Sequence, residues 1–274
     1  MDSSEFWTLN IACKEKIRGG AIDEARRLLY RMTQLYPQII DNDLAGNKAI
    51  LHHALALDKH IVDFNLAFFV PYAMRLANSD WAGERRNGRV VPSLGQRITN
   101  RLMNGIGDRS TPYINAVMPF FRMALRHNPG NKDNLRHLAQ LYTRVKLKAQ
   151  AVTLYKQLLQ RYDDSYLFAE LADLLTDPND KIALLCQAIM HQPREFYNAA
   201  YRYRLAELLQ MPEPTRAAYE IRAYIAAKHK AGMPVPADAD RIARILRDFL
   251  PVTASEQKAY YLRMKPIADQ IIHH

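Results

Sequence analysis

Residues 121–162 read FRMALRHNPGNKDNLRHLAQLYTRVKLKAQAVTLYKQLLQRY, and this stretch decides the fold. An apolar stripe recurs in it at helical spacing, at Leu135, Leu138, Ala139, Leu141, Tyr142 and Val145. A second stripe follows at Ala151, Tyr155, Leu158, Leu159 and Tyr162. Only Lys146, Leu147 and Lys148 separate the two stripes, so the sequence predicts two antiparallel helices that bury their apolar faces together.

Similar helix pairs recur along the chain. The second helix of a preceding unit is marked by Phe121, Ala124 and Pro129, and 34 residues separate Phe121 from Tyr155. Related patterns occur at 6–37, at 166–193 and, more loosely, at 199–232. A repeat of this length predicts helix pairs that stack on their neighbours around one continuous core.

The repeat length and the small and aromatic positions resemble the tetratricopeptide repeat (TPR) superfamily over about half of the chain. The sequence departs from that pattern in three ways. A tryptophan early in the first helix is missing, Leu138 and Ala139 replace a leucine-glycine pair, and Asp163 stands where proline is usual. The resemblance implies an all-α, TPR-like α-solenoid of antiparallel helix pairs, with a concave groove that binds a protein partner.

Within that superfamily, the runs 133–142, 163–172 and 181–185 resemble the TPR-bearing components of bacterial conflict systems of the TOTE type. Such components tend to continue into a small β-barrel. The chain also stops on the apolar pair Ile271 and Ile272. Both features imply a natural chain that extends past residue 274 into a further domain.

Breaker residues set the predicted domain organisation. Residues 1–232 form the TPR-like repeat domain, with an irregular arginine-rich insertion at about 75–112 that includes a short helix at 93–104. Residues 233–274 follow a proline-containing break and form a C-terminal helical cap. Within this cap Thr253 and Glu256 have the spacing of a capping box.

The charge is concentrated in one third of the chain. Lys and Arg number 38 against 28 Asp and Glu, and residues 75–164 alone carry the whole formal net charge of +10. The segment is either a solvated basic surface or an anion-binding patch, for which nucleic acid and an acidic protein tail are both candidate ligands. The patch residues would be Arg85, Arg86, Arg89, Arg97 and Arg101.

A second candidate surface follows from the resemblance to TPR proteins, in which the first helix of each pair lines the groove. The residues expected to face a partner there are Lys14, Arg18, Arg136, Gln140 and Arg144. The alternative is a merely solvated helix face.

A third pattern interleaves Tyr197, Tyr201 and Tyr203 with Arg202 and Arg204. Aromatic rings beside arginines suit the stacking of nucleic-acid bases. Bulky rings also fill gaps between stacked helices.

Several classes of function lack their motifs in this sequence. It has no H-E-x-x-H, no Walker-type loop and no G-x-S-x-G, so we expect a protein that is not an enzyme and needs no cofactor and no metal. Cys13 and Cys186 are far apart and fall in apolar helical patterns, which predicts buried thiols. Without a signal or a membrane segment, the sequence predicts a cytoplasmic protein with no membrane partner. The resemblance to conflict-system components implies a bacterial protein.

Three hypotheses about function follow. The first is a non-catalytic scaffold that binds a protein on the concave face, in a bacterial conflict or defence system. The alternative is a helical-repeat nucleic-acid binder that uses the basic segment 75–164. The third is a regulatory arm of a larger assembly.

Overall fold

Helices dominate the computed structural model of the chain, which describes residues 3–38, 44–86, 88–107 and 109–274, without the side chains of residues 3, 38, 84–86, 89 and 90. These described residues form fourteen α-helices, three short 3-10 helices and one two-stranded hairpin. The predicted helical fold class is confirmed in these residues, and the TPR-like arrangement of the helices stays a prediction.

The chain divides into two compact units, Met1–Val145 and Lys146–His274. The division falls inside the range 1–232 that the sequence analysis treats as one repeat domain. The boundary between residues 232 and 233 stays a prediction.

Unit 1 is built on a helix pair to which a third helix is added. α1 and α2 pack together and α3 lies against both, while α6 contacts α4, α5 and α7. The helices are α1 (Ser3–Arg18), α2 (Ile22–Leu35), α3 (Leu44–Leu57), α4 (Val70–Ala73), α5 (Leu94–Asn104), α6 (Thr111–His127) and α7 (Lys132–Arg144). The 3-10 helices are Tyr36–Gln38, Leu66–Phe69 and Asn78–Trp81, and the strands are β1 (Glu84–Arg86) and β2 (Arg89–Val91).

The predicted insertion contributes to the core of unit 1. Its expected short helix is present as α5. Gly95 lies in the first turn of α5, where the Trp81 ring packs directly on it. Trp81 also stacks on His127 with 4.9 Å between ring centroids, and it lies 5.4 Å from the Phe120 ring. The close approach of an indole ring, rather than an interruption of the helix, explains this glycine.

The β-hairpin is an addition that the sequence analysis does not predict. β1 and β2 pair antiparallel with Arg86 opposite Arg89, and Gly88 has a φ of 74°. A two-residue connection of this type needs a left-handed backbone, which glycine adopts without strain. Gly88 therefore suits the connection between the two strands.

Unit 2 is a succession of packed helices. Each of the helices α9 to α12 packs against the helix before it, and α13 contacts α12. The helices are α8 (Lys148–Leu159), α9 (Ser165–Leu174), α10 (Pro178–Met190), α11 (Glu195–Leu209), α12 (Pro214–Lys230), α13 (Ala237–Ile245) and α14 (Ala254–His273).

The C-terminal helix α14 lies along the repeat helices of unit 2, where it packs against α10 and also contacts α8. Its start confirms the predicted capping box. The Glu256 amide donates to the Thr253 hydroxyl at 3.2 Å, and the Thr253 amide donates to the Glu256 carboxylate at 2.7 Å. These bonds to Thr253 lower the pKa of Glu256.

A buried carboxylate ties α14 to α11 and α12. Glu220 on α12 is fully buried and accepts hydrogen bonds from Arg202 at 2.8 Å, from Gln257 at 2.6 Å and from the Tyr261 hydroxyl. Arg202 also donates to the Tyr261 oxygen at 3.2 Å. Burial raises the pKa of Glu220, while Arg202 and the neutral donors oppose that shift by stabilising the carboxylate. Three helices thus meet at one ion pair.

Both cysteines are buried, as the sequence predicts, and each compact unit contains one of them. Burial raises the pKa of Cys13 to about 12, and it raises the pKa of Cys186 as well. Both thiols therefore stay protonated near neutral pH.

Gly95→Ala tests the packing of the insertion. A Cβ at residue 95 would come within 2.5 Å of the Trp81 ring, so we expect unit 1 to lose about 1–3 kcal/mol of stability through overpacking. Hydrogen exchange of the α5 and α6 amides measures this loss. Gly105→Ala, whose Cβ would make only ordinary contacts with the backbone of α5, is the matched control. Equal protection in the two variants would contradict the packing.

Glu220→Gln tests the ion pair in unit 2. The substitution keeps the side-chain volume but leaves the Arg202 guanidinium buried without its counter-charge, so we expect a loss of about 3–5 kcal/mol. Faster amide exchange in α11, α12 and α14 of the full chain would report it. Glu195→Gln removes an exposed ion pair with Lys230 and should change stability by less than about 0.5 kcal/mol.

Candidate functional site

The predicted partner-binding residues lie on two helices of unit 1 that pack against different neighbours. Lys14 and Arg18 are exposed on α1, which packs against α2 and α3, whereas α7 packs against α6. Arg136, Gln140 and Arg144 follow each other at four-residue steps and share one face of α7. The structure therefore groups three of the five predicted residues.

The members of the α7 face differ in how they are engaged. Arg136 and Gln140 are half-exposed, and Arg144 is exposed. The Arg144 guanidinium donates a hydrogen bond to the carbonyl of Gly107, in the connection that follows α5. A partner that used Arg144 would have to replace this internal bond.

The predicted anion-binding patch is divided by the structure. The side chains of Arg85, Arg86 and Arg89 lie outside the described part, although their backbone forms the hairpin. Arg97 and Arg101 lie on α5 but line two different cavities.

Arg101 serves the fold. It contacts the Asp58 carboxylate at 2.5 Å and donates to the Asp58 carbonyl at 3.0 Å, so it joins α5 to the end of α3. It is therefore neutralised inside unit 1. Arg97 instead faces a cavity that contains Lys48 and His52.

The tyrosine-arginine interleaving on α11 separates into an internal and an external set. Arg202 is engaged with buried Glu220, and Arg204 donates to Asp173 at 2.6 Å and to the Ala169 carbonyl at 3.1 Å. Both guanidinium groups are thus neutralised by protein carboxylates. This arrangement favours packing over the stacking of nucleic-acid bases for the arginines, while Tyr197 stays half-exposed.

The external set lines what we call the aromatic groove, a cavity of about 430 Å³ between α11 and α12. Its lining includes four aromatic side chains and one lysine: Phe196, Tyr197, Tyr203, Tyr224 and Lys228. Phe196 and Tyr197 are 50% and 52% exposed, which is high for rings of this size.

Contacts with neighbouring side chains hold the rings of Tyr203 and Tyr224 in the aromatic groove. Tyr203 and Tyr224 lie 5.3 Å apart between centroids, and the Lys228 ammonium lies 5.7 Å from the Tyr224 centroid. The Tyr203 hydroxyl donates to Glu207 at 2.8 Å. Burial, together with this bond and the Glu207 charge, raises the pKa of Tyr203 to about 12, so its hydroxyl remains a neutral donor.

A second cavity of about 550 Å³ adjoins the aromatic groove, since both are lined by Phe196 and Ala227. It adds Arg194 and Lys230 to the rim. Arg194 lies 5.9 Å above the Tyr197 ring, and Lys230 lies 3.4 Å from Glu195. The surface thus combines exposed rings with a rim in which cations outnumber carboxylates.

The sequence pattern marks Tyr197 and Tyr203 as candidate binding residues. It does not mark Phe196, Tyr224 and Lys228. The residues of α12 lie about twenty positions further along the chain, and only the pairing of α11 with α12 brings them to one surface. The exposed Phe196, next to Tyr197 at the start of α11, is the signal that could have found the groove.

Metal sites and membrane-spanning helices are two further classes of feature. The described residues contain no group of three His, Cys, Asp or Glu side chains with the geometry to hold a metal ion. None of the described helices is both long enough and apolar enough to cross a membrane.

Comparisons with known proteins add one family and a few distant structures. Residues 137–267, just under half of the chain, match a family described as a domain of unknown function, DUF7017. This range contains the aromatic groove and Glu220. Among curated proteins, none matches the sequence.

Similar solved structures include two of MamA and one of a Rap protein complexed with competence and sporulation factor. The MamA structures are 15% and 18% identical, with a TM-score of 0.43 each, and cover 58% and 63% of this chain and 89% and 91% of theirs. The Rap structure is 14% identical, has a TM-score of 0.44 and covers 98% of this chain and 77% of its own. These values indicate a distant likeness in helical architecture and carry no argument about function.

Proposed function

We propose that the protein is a non-catalytic, protein-binding scaffold whose unit 2 holds a peptide segment of its partner in the aromatic groove. The observation that carries this proposal is the pair of half-exposed rings, Phe196 and Tyr197, at the mouth of a cavity floored by Tyr203 and Tyr224. Rigid aromatic side chains beside cations are the residue types that dominate the energetics of protein interfaces.

The groove also indicates the chemistry of the peptide. An apolar or aromatic side chain would bury the exposed rings of Phe196 and Tyr197. Carboxylates beside it would face Arg194 and Lys228, which lie over the rings of Tyr197 and Tyr224. We therefore propose a short acidic segment with an aromatic or aliphatic anchor.

The predicted concave-face residues in unit 1 are proposed as a second contact surface. Arg136, Gln140 and Arg144 would receive the partner on α7, and Lys14 and Arg18 on α1. A cytoplasmic location and a place in a bacterial conflict system are further proposals, and the second rests on the resemblance of residues 133–142, 163–172 and 181–185.

The alternative function, nucleic-acid binding by residues 75–164, is favoured by the +10 charge of that segment. Arg101 and Arg144 are already engaged within unit 1, which reduces the number of cations open to phosphates. This alternative is proposed second for that reason.

Selection from a displayed peptide library tests the groove. We expect the full chain to enrich short peptides with an aromatic or aliphatic anchor and flanking Asp or Glu. Phe196→Ala combined with Tyr197→Ala should weaken the selected peptides at least about tenfold, because these rings supply most of the exposed apolar area. Phe249→Ala, which removes an exposed ring elsewhere in unit 2, should leave binding unchanged. Peptides without a shared pattern, or equal loss in both variants, would refute the groove.

A salt titration tests the alternative. If residues 75–164 bind nucleic acid, the affinity for single-stranded RNA or DNA should fall steeply between about 50 and about 200 mM salt, because phosphate contacts release counterions. Fluorescence anisotropy with labelled oligonucleotides measures this dependence. Absence of binding at the lower salt concentration would eliminate the alternative and leave the peptide proposal unaffected.

A further inference from the structure

Unit 1 contains a cavity of about 420 Å³ that lies outside the aromatic groove and is lined by Arg97 of the predicted anion-binding patch, and we call it the cationic cavity. It lies between α3, the 3-10 helix Asn78–Trp81, the end of β2 and the start of α5. Its charged side chains are Lys48 and His52 on α3, Arg97 on α5, and Asp80. Lys48 and His52 are four residues apart, so they project from the same face of α3.

The one described carboxylate that lines the cavity is already engaged. Lys48 contacts one Asp80 oxygen at 3.0 Å, and the amide of Ala77 donates to the other oxygen at 3.0 Å. Asp80 therefore balances Lys48 and closes the turn of its own 3-10 helix. The guanidinium of Arg97 and the ring of His52 remain, and neither forms a hydrogen bond or an ion pair with any described residue.

The positive charges of Arg97 and Lys48 act on the ring of His52. Partial burial lowers the pKa of His52, and the charges of Arg97 and Lys48 lower it further against the opposing charge of Asp80. An anion placed between these side chains would remove the repulsion that disfavours the protonated ring.

The start of α5 adds backbone donors at the same place. Ser93 caps the helix, and its hydroxyl accepts the Gln96 amide at 3.1 Å. Helix geometry leaves the amides of the first turn without intrahelical acceptors, and the helix dipole places partial positive charge there. Ser93 and Leu94 line the cavity, so this end of the eleven-residue helix is directed toward the same space as Arg97.

We propose that the cationic cavity binds the phosphate group of a small phosphate monoester. The guanidinium of Arg97, which forms no ion pair with a described residue, offers a fork of donors suited to phosphate, and Lys48 and His52 add nitrogen donors from α3. The volume falls in the range of small-molecule sites and exceeds the space of the phosphate alone. The remainder is lined by Val91, Pro92 and Leu94, which suits the organic part of the ligand.

This proposal does not depend on the aromatic groove. It concerns unit 1 and a small anion, whereas the groove belongs to unit 2 and takes a peptide. It also differs from binding along a nucleic-acid strand, because a single cavity of this size needs one phosphate group rather than a row of them.

Calorimetric titration of the full chain with inorganic phosphate, AMP and adenosine, at about 20 mM salt, tests the site. We expect phosphate and AMP to bind and adenosine not to bind. Arg97→Gln should weaken AMP binding at least about tenfold, because it removes a charge-assisted donor without breaking a contact in the fold. His52→Asn should weaken it in the same direction.

Arg126→Gln is the matched control, since it removes the same charge from an exposed position of α6 in unit 1, outside the cavity. It should leave AMP affinity within about twofold of the unsubstituted chain. Three results would overturn the proposal: no binding of phosphate or AMP, equal weakening by Arg97→Gln and Arg126→Gln, or binding of an oligonucleotide alone. Thermal unfolding followed by circular dichroism verifies that each variant is folded.

Discussion

The carboxylate of Glu220 is the constraint on which unit 2 depends. A fully buried charge is tolerated only when it is paired and hydrogen-bonded, and the donors come from α11 and α14. The chain must therefore bring Arg202, Gln257 and Tyr261 to one point of α12. Because Arg202 turns inward, the adjacent Tyr203 projects about 100° away around the helix, where it lines the aromatic groove. The same register that neutralises Glu220 thus sets the position of the candidate binding surface.

Individual helices could be predicted from the sequence because they follow from local spacing. The stripes at Leu135–Leu141 and Ala151–Leu158 mark α7 and α8, and the capping box at Thr253 marks the start of α14, each from residues within a few turns of each other. The packing of α7 on α8 stays a prediction. The Glu220 network could not be predicted, since Tyr261 is 41 residues away and nothing local marks α14 as its partner. Gly95 illustrates the same limit, because its role depends on a ring fourteen positions earlier that only the folded chain brings onto it.

The net charge was the feature whose role could be predicted least well from the sequence. Residues 75–164 do carry the excess of positive charge, but their arginines make different kinds of contact in the structure. Arg101 links two helices, Arg144 binds a carbonyl, and Arg122 donates to the Tyr142 hydroxyl at 3.1 Å. Arg97 differs because it lines a cavity and forms no ion pair with a described residue. A net charge therefore says where cations are abundant, whereas hydrogen-bond partners decide which of them can receive a ligand.

The placement of the two cysteines has a practical consequence. Cys13 lies in the first compact unit and Cys186 in the second, and both are wholly enclosed and protonated near neutral pH. A thiol reagent can attack either one only after its own unit opens, because the reactive thiolate requires exposure to solvent. The native chain thus contains one chemical reporter for each unit, and single replacement of either cysteine would let the opening rates of the two halves be timed separately without attaching any foreign label.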